Sequence, residues 1–188
     1  MAKNYRLQLR QDTACKHQEV DDLFSRLDIS KRDEYGIFLK AHFIALSAIE
    51  KHFAEVGSSF APPPAQSGLI HQDILALGEK PVIAKLSSLP ELSNLAGLAY
   101  VVSGAHFGAA VLLKRVSASS DPATLSARTY LQSADMRSYW PVVVREIKNS
   151  INTPEDYSVL VKGALAAFDL YFDSYKLVEQ EKTFVQIA

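Results

Sequence analysis

The residues best suited to chemistry stand close together in the opening segment, LRQDTACKHQEVDDLF. Arg10 and His17 are seven positions apart, so on a helix they differ by only about 20° and share one side, about two turns apart. Thr13 lies one turn before His17, and Phe24, seven further on, continues the row. Asp21, four residues past His17, can accept a hydrogen bond from the imidazole and leave the other ring nitrogen free for a metal. Leu9, Val20, Leu23 and Leu27 form the adjacent apolar stripe, which sets His17 at its edge, turned partly inward. Such a row suits a heme iron held axially by one neutral His, with Arg10 placed to meet a propionate. It equally suits a helix-edge His bonded to Asp21 for packing alone.

A second group is GLAYVVSGAHFGAAV, from Gly97 to Val111. Glycine inside a helix costs about 1 kcal/mol relative to alanine. Gly97, Gly104 and Gly108 nevertheless fall within about 20° of one line, with Ala105 and Ala109 beside it. Such a helix has bare backbone along one face, where something flat can approach closely. Tight helix–helix packing through small residues explains the stripe as well. A porphyrin held between the His17 helix and this face explains both groups together.

Other chemistries lack their residues. No His has an acid three positions before it and no two His stand four apart, so di-iron and helical zinc sites are unsupported. There is no Gly-x-Gly, no Gly-Lys-Ser/Thr and no Gly-x-Ser-x-Gly, which removes nucleotide cradles and the nucleophile elbow. A site with one His and a ligand brought from outside is what remains.

The elements that must position these groups read as helices throughout. Periodicity and caps predict helices over about Tyr5–Leu27, from Ser30 or Asp33 to Val56, and over Gln72–Leu77, Pro81–Ser87 and Pro90–Val116. Others follow over Pro122–Met136, Tyr139–Ser150 and from Thr153 to about Lys182, with an extended loop at Gly57–Gly68 carrying three prolines. No period-two alternation suggests strands. At 188 residues with 48% hydrophobic and 22% charged, the expectation is one all-α domain, 1–188, with its own core. Lys plus Arg (20) balances Asp plus Glu (21), which offers no electrostatic footprint for nucleic acid or an anionic membrane. The uncharged run Leu92–Leu113 contains Ser93, Asn94, Ser103 and His106 and reads as a buried helix rather than a membrane span. The single cysteine, Cys15, and an opening without a signal-peptide core point to the cytosol.

Taken together, these segments resemble the heme oxygenases, especially the bacterial, phytochrome-associated branch. LRQDTACKHQEVD is similar to the family's Leu-Arg-x-x-Thr-x-x-x-His-x-x-x-Asp/Glu, with His17 in the proximal-ligand position. AYVVSGAHFGAAVL is similar to the distal Tyr-Val-Leu-Glu-Gly-Ser-x-Leu-Gly-Gly, where Gly104 and Gly108 fall on two of the glycines. Tyr130 and Trp140 resemble the Tyr-Gly…Trp stretch, and Gly163–Phe168 resembles Gly-Ala-x-x-Thr-Phe. The resemblance implies a compact all-α heme oxygenase fold. It implies heme as substrate and cofactor, opened by O2 to biliverdin, CO and iron. Electrons then come from a reductase or ferredoxin, and a phytochrome is a possible acceptor of the product. Asp21 would orient His17, Arg10 would meet a propionate with Arg145 as a second basic candidate, and Tyr100, Phe107 and Phe168 would touch the macrocycle edge.

The chain departs from the pattern on the distal side. Ala105 replaces an acidic or serine residue, Ala109 replaces the second closing glycine with a methyl that would narrow the slot, and Ser103 replaces an acid. His106 is foreign to the motif and falls nearer the far side of the helix, where a structural role is expected. A heme-binding homologue with weak or no ring opening, and a helical module without heme, are the competing readings.

Overall fold

The computed structural model describes residues 4–57, 60–81 and 94–187, with side chains described as far as residue 181. The elements in order are α1 (Tyr5–Asp12), α2 (Ala14–Ser25), α3 (Arg32–Val56), α4 (Ser67–Ala76), α5 (Leu95–Ala105), a 3-10 turn (His106–Gly108) and α6 (Ala109–Val116). They continue with α7 (Pro122–Ser126), α8 (Thr129–Gln132), α9 (Asp135–Ser150) and α10 (Pro154–Ile187). No strand occurs among the described residues, and the fold is all-α as expected.

Among the described residues, α1, α5, α7 and α10 start with polar side chains that satisfy some of the first free N–H groups. Asn94 Oδ1 accepts from Gly97 N at 2.9 Å, and Asp121 Oδ2 from Thr124 N at 2.8 Å. Thr153 and Asp156 cap α10 reciprocally: Thr153 Oγ1 accepts from Asp156 N at 3.1 Å while Asp156 Oδ2 accepts from Thr153 N at 2.9 Å. Gly57, at φ 59°, closes α3 in the left-handed region that a side chain resists.

α10 is the spine of the fold, with α5, α3 and α2 packed on it, and its Leu160, Ala164, Ala167, Leu170 and Tyr171 are buried. The α5 contact is unusually close. A Cβ on Gly97 would lie 2.6 Å from Ala164 N, and one on Gly163 would lie 2.6 Å from Asn94 O, so both glycines are needed for the two backbones to touch.

Several boundaries differ from the local pattern, each for a long-range reason. α4 starts at Ser67, five residues earlier than expected, because the Glu50 carboxylate of α3 accepts from Gln66 N at 2.7 Å and Ser67 N at 2.9 Å. The helix expected over Pro122–Met136 is divided because buried Asp73, from α4, accepts from Thr129 N at 2.9 Å and Tyr130 N at 2.8 Å and starts α8 there. α9 consequently begins at Asp135, before the expected Tyr139, and carries Pro141 inside it on an exposed side. The opening helix is interrupted at Thr13, and the long helix ending at Val116 is broken at His106–Gly108. The expected helix at Pro81–Ser87, and a start at Pro90, lie outside the described residues.

Leu95–Val116 is long and apolar enough to cross a membrane by composition, with a mean hydropathy of 1.6. Half of that window is buried in the fold, with α5 set against α10 and α9.

Candidate functional site

At the N-terminal rod, Leu9, Val20, Leu23 and Leu27 are buried, as their spacing demands. Their burial leaves the Arg10–His17 row along the outer edge. The His17 side chain is 53% exposed, more open than a partly inward placement, and its Nε2 lies 3.2 Å from Asp21 Oδ2. Its ring stacks on Phe168 of α10, with centroids 5.2 Å apart. The imidazole is therefore held by a carboxylate and an aromatic face, while Nδ1 has no partner among the described residues. Phe24, in the same row, turns inward instead and meets Phe38, His42 and Tyr175. Thr13 is buried, and its hydroxyl donates to Leu9 O at 2.8 Å, which competes with the helical ladder where α1 gives way to α2.

The register of α2 on α10 is set beside His17. Lys16 Nζ lies 2.7 Å from Asp169 and 5.1 Å from the centre of the Phe172 ring. Nothing in the local sequence pairs these residues, which are far apart along the chain.

The glycine stripe separates into two parts. Gly97 is packed tight against α10, so small-residue packing is its role. Among the described residues, Gly104 and Gly108 have nothing within 4 Å of where a Cβ would sit. The stripe is thus bare backbone facing open space at its second half. Ala105, Phe107 and Gly108 are exposed, whereas Ala109 is 3% exposed. The Ala109 methyl therefore points into the core and does not narrow the space over the glycines, contrary to expectation.

The 3-10 turn that presents Gly108 is fixed from behind. His106 is buried and its Nε2 donates to Ser133 O at 2.6 Å, while Tyr130 meets the ring edge-on with centroids 5.8 Å apart. His106 has the structural role its wheel position suggests. Deeper in, His42 is buried, donates from Nδ1 to Phe38 O at 2.9 Å, and is held neutral by desolvation, its pKa pushed down to about 4. Burial likewise raises the Tyr130 and Tyr171 hydroxyls above the ordinary tyrosine value. Ser103 is buried, and its hydroxyl has no partner among the described residues.

Burial raises the Tyr100 hydroxyl, and the nearby positive charges of Arg10 and then Arg6 oppose that rise. Tyr100 is one turn before Gly104 on nearly the same side, just as Arg10 is two turns before His17. Tyr100 also packs on Trp140 of α9 at 5.8 Å, and Phe107 meets the same indole edge-on at 5.1 Å. The structure thus brings His17, Asp21 and Phe168 together, and places Tyr100 within the electrostatic influence of Arg10. Arg145 stands apart, exposed on α9 with no ion-pair partner among the described residues. Exposed Leu7, Phe107 and Val111 add apolar surface. Among the described residues, no three His, Cys, Asp or Glu side chains gather as a metal cage. A cavity of about 440 Å³ lies elsewhere, between residues 30–34 and Ser119–Asp121.

No protein-family model and no curated protein matches the chain. A solved structure does: a heme oxygenase from Neisseria meningitidis with NO and CO bound, at a TM-score of 0.75 and 23% sequence identity, covering 94% of this chain and 92% of that one. This chain has the heme oxygenase fold. The fold expected from the motifs is therefore present across nearly the whole chain. Sequence reasoning did not find Lys16, Asp169, Tyr157 or Asp12, which fix α1 and α2 on the heme oxygenase frame.

Proposed function

We propose that this chain is an O2-dependent heme oxygenase that binds heme through His17 and opens it to biliverdin, CO and iron. One observation carries the reading: among the described residues, Gly104 and Gly108 keep clear space beside their backbone although Gly97, on the same stripe, is packed tight. A stripe made only for helix packing would be covered along its length. The other residues fit the same group. An exposed imidazole held by a carboxylate suits a metal, Arg10, with no carboxylate partner among the described residues, suits an acid at the ligand edge, and exposed aromatic and aliphatic side chains suit a flat apolar ring. The heme oxygenase fold is consistent with this use.

Heme, as substrate, supplies its own iron and macrocycle for the reaction with O2, using electrons from an external reductase or ferredoxin. The protein supplies position and surroundings. Asp21 accepts from one ring nitrogen of His17 and so orients the imidazole with its other nitrogen free for the iron. Phe168 limits rotation of that ring. Gly104 and Gly108 admit the ligand close to peptide groups, Phe107 and Val111 shield it from water, and Arg10 faces its carboxylates. Ala105 contributes no side-chain hydrogen bond, and Ser103 keeps its hydroxyl in the core, so proton delivery depends on backbone groups and water. The cytosol as the setting, and delivery of biliverdin to a phytochrome, belong to the same proposal.

The test is a single turnover of the hemin-loaded chain with ascorbate or a reductase in air. Loss of the Soret band with biliverdin formed supports oxygenase activity. A Soret band that persists favours the alternative that Ala105 motivates, a heme-binding homologue without effective ring opening.

A further inference from the structure

α1 is joined to the rest of the rod at Thr13, where the backbone leaves the helix at φ −100°, ψ 0°. Leu9 is its buried residue, so few apolar contacts determine where it lies. The end beside that joint is held by a tertiary bond: the Tyr157 hydroxyl, in the first turn of α10, donates to Asp12 Oδ2 at 2.5 Å across 145 positions of sequence. The Tyr157 ring also packs on Tyr5, at the other end of α1, with centroids 5.6 Å apart. Arg10 lies between these two anchors, and Tyr100 is close enough to feel the charge of Arg10 and to influence Tyr157. One tyrosine therefore grips both ends of the short helix that carries the site's arginine. Two further side-chain hydrogen bonds at this helix, from Leu7 N to Asn4 Oδ1 and from the Thr13 hydroxyl to Leu9 O, are local and do not fix α1 on the fold.

We propose that Tyr157 is a positioning residue: through its bond to Asp12 it sets α1 so that Arg10 meets a carboxylate on the ligand edge. This rests on the heme reading above and adds to it the group that aims the arginine. Tyr157 itself need not touch the ligand. Without the bond, the joint at Thr13 is no longer fixed and Arg10, two residues before Asp12, loses its set position, so the loss falls on recognition of carboxylates and not on the axial bond.

The experiment compares hemin with hemin dimethyl ester, whose propionates carry no charge, in titrations of the full chain. Tyr157→Phe keeps the ring on Tyr5 and removes only the hydroxyl. It is expected to weaken hemin binding about three- to tenfold, the loss of one tertiary hydrogen bond, and to leave the ester unchanged. Asp12→Asn should act in the same direction. In an Arg10→Ala background, Tyr157→Phe should have no further effect on hemin. Equal weakening for hemin and ester, no change for hemin, or full additivity with Arg10→Ala overturns the proposal. If the unaltered chain fails to bind hemin at one per chain, it is the heme reading that fails. Normal hemin binding with an indifferent Tyr157→Phe sinks the positioning role alone.

Discussion

His17 and Phe168 lie ring against ring, 5.2 Å between centroids and 29° between planes, so the imidazole of α2 is oriented by the spine helix α10. With Asp21 on Nε2, the ring is restrained from two directions. Phe168→Leu keeps a buried apolar side chain but removes the flat contact. Stability in urea should fall by about 1 kcal/mol, the usual worth of an aromatic pair beyond its area. Hemin should leave the variant faster in a capture experiment, because His17 then samples more orientations.

Gly97 and Gly104 should respond in opposite ways to the same substitution. Gly97→Ala places a methyl against the α10 backbone, which cannot yield as a side chain can, and should destabilise the fold by about 1–3 kcal/mol. Gly104→Ala meets open space and replaces a poor helix former, so the ligand-free chain should gain up to about 1 kcal/mol. The same variant should bind hemin less well. Thermal unfolding with and without hemin checks both halves.

His42 gives the stability a pH dependence of known sign. Its folded pKa, about 4, is below the value of 6.5 for an exposed imidazole, because burial disfavours the charged ring. The unfolded chain therefore binds a proton that the folded chain refuses between those values. The contribution is intact above pH 6.5 and is lost as pH falls towards 4, by about 3 kcal/mol in total. His42→Phe should flatten that part of the curve relative to the unaltered chain in urea titrations between pH 7 and pH 4.

Asp73 holds the segment that supports the distal turn. Asp73→Ala leaves the Thr129 and Tyr130 N–H groups without their carboxylate, at about 1–3 kcal/mol for each group that stays buried. Because Ser133 and Tyr130 hold His106, hydrogen exchange should also quicken through residues 106–108. Asp73→Asn retains an acceptor and should show a smaller effect on both.

What was readable in the sequence follows interaction range. The buried stripe Leu9, Val20, Leu23, Leu27 and the caps at Asp121 and Thr153 are local devices, and local spacing exposes them. The openings of α4 and α8 depend on Glu50 and Asp73, carboxylates from other helices, and no local pattern predicts a cap delivered through space. The break at His106 has the same origin, in the carbonyl of Ser133. At the site, spacing placed His17 beside Asp21 and put three glycines on one line. It could not divide that line into packed Gly97 and open Gly104 and Gly108, since the difference lies in α10. Nor could it find Lys16–Asp169 or Asp12–Tyr157, each joining opposite ends of the chain.

Ligation of a heme iron by His17 is tested most directly by the absorption spectrum of the chain titrated with hemin, alongside His17→Ala. The expected result is saturation at one hemin per chain with an axial-imidazole spectrum, lost in His17→Ala and restored by added imidazole. Hemin that never saturates, or a spectrum identical in the two proteins, would contradict it.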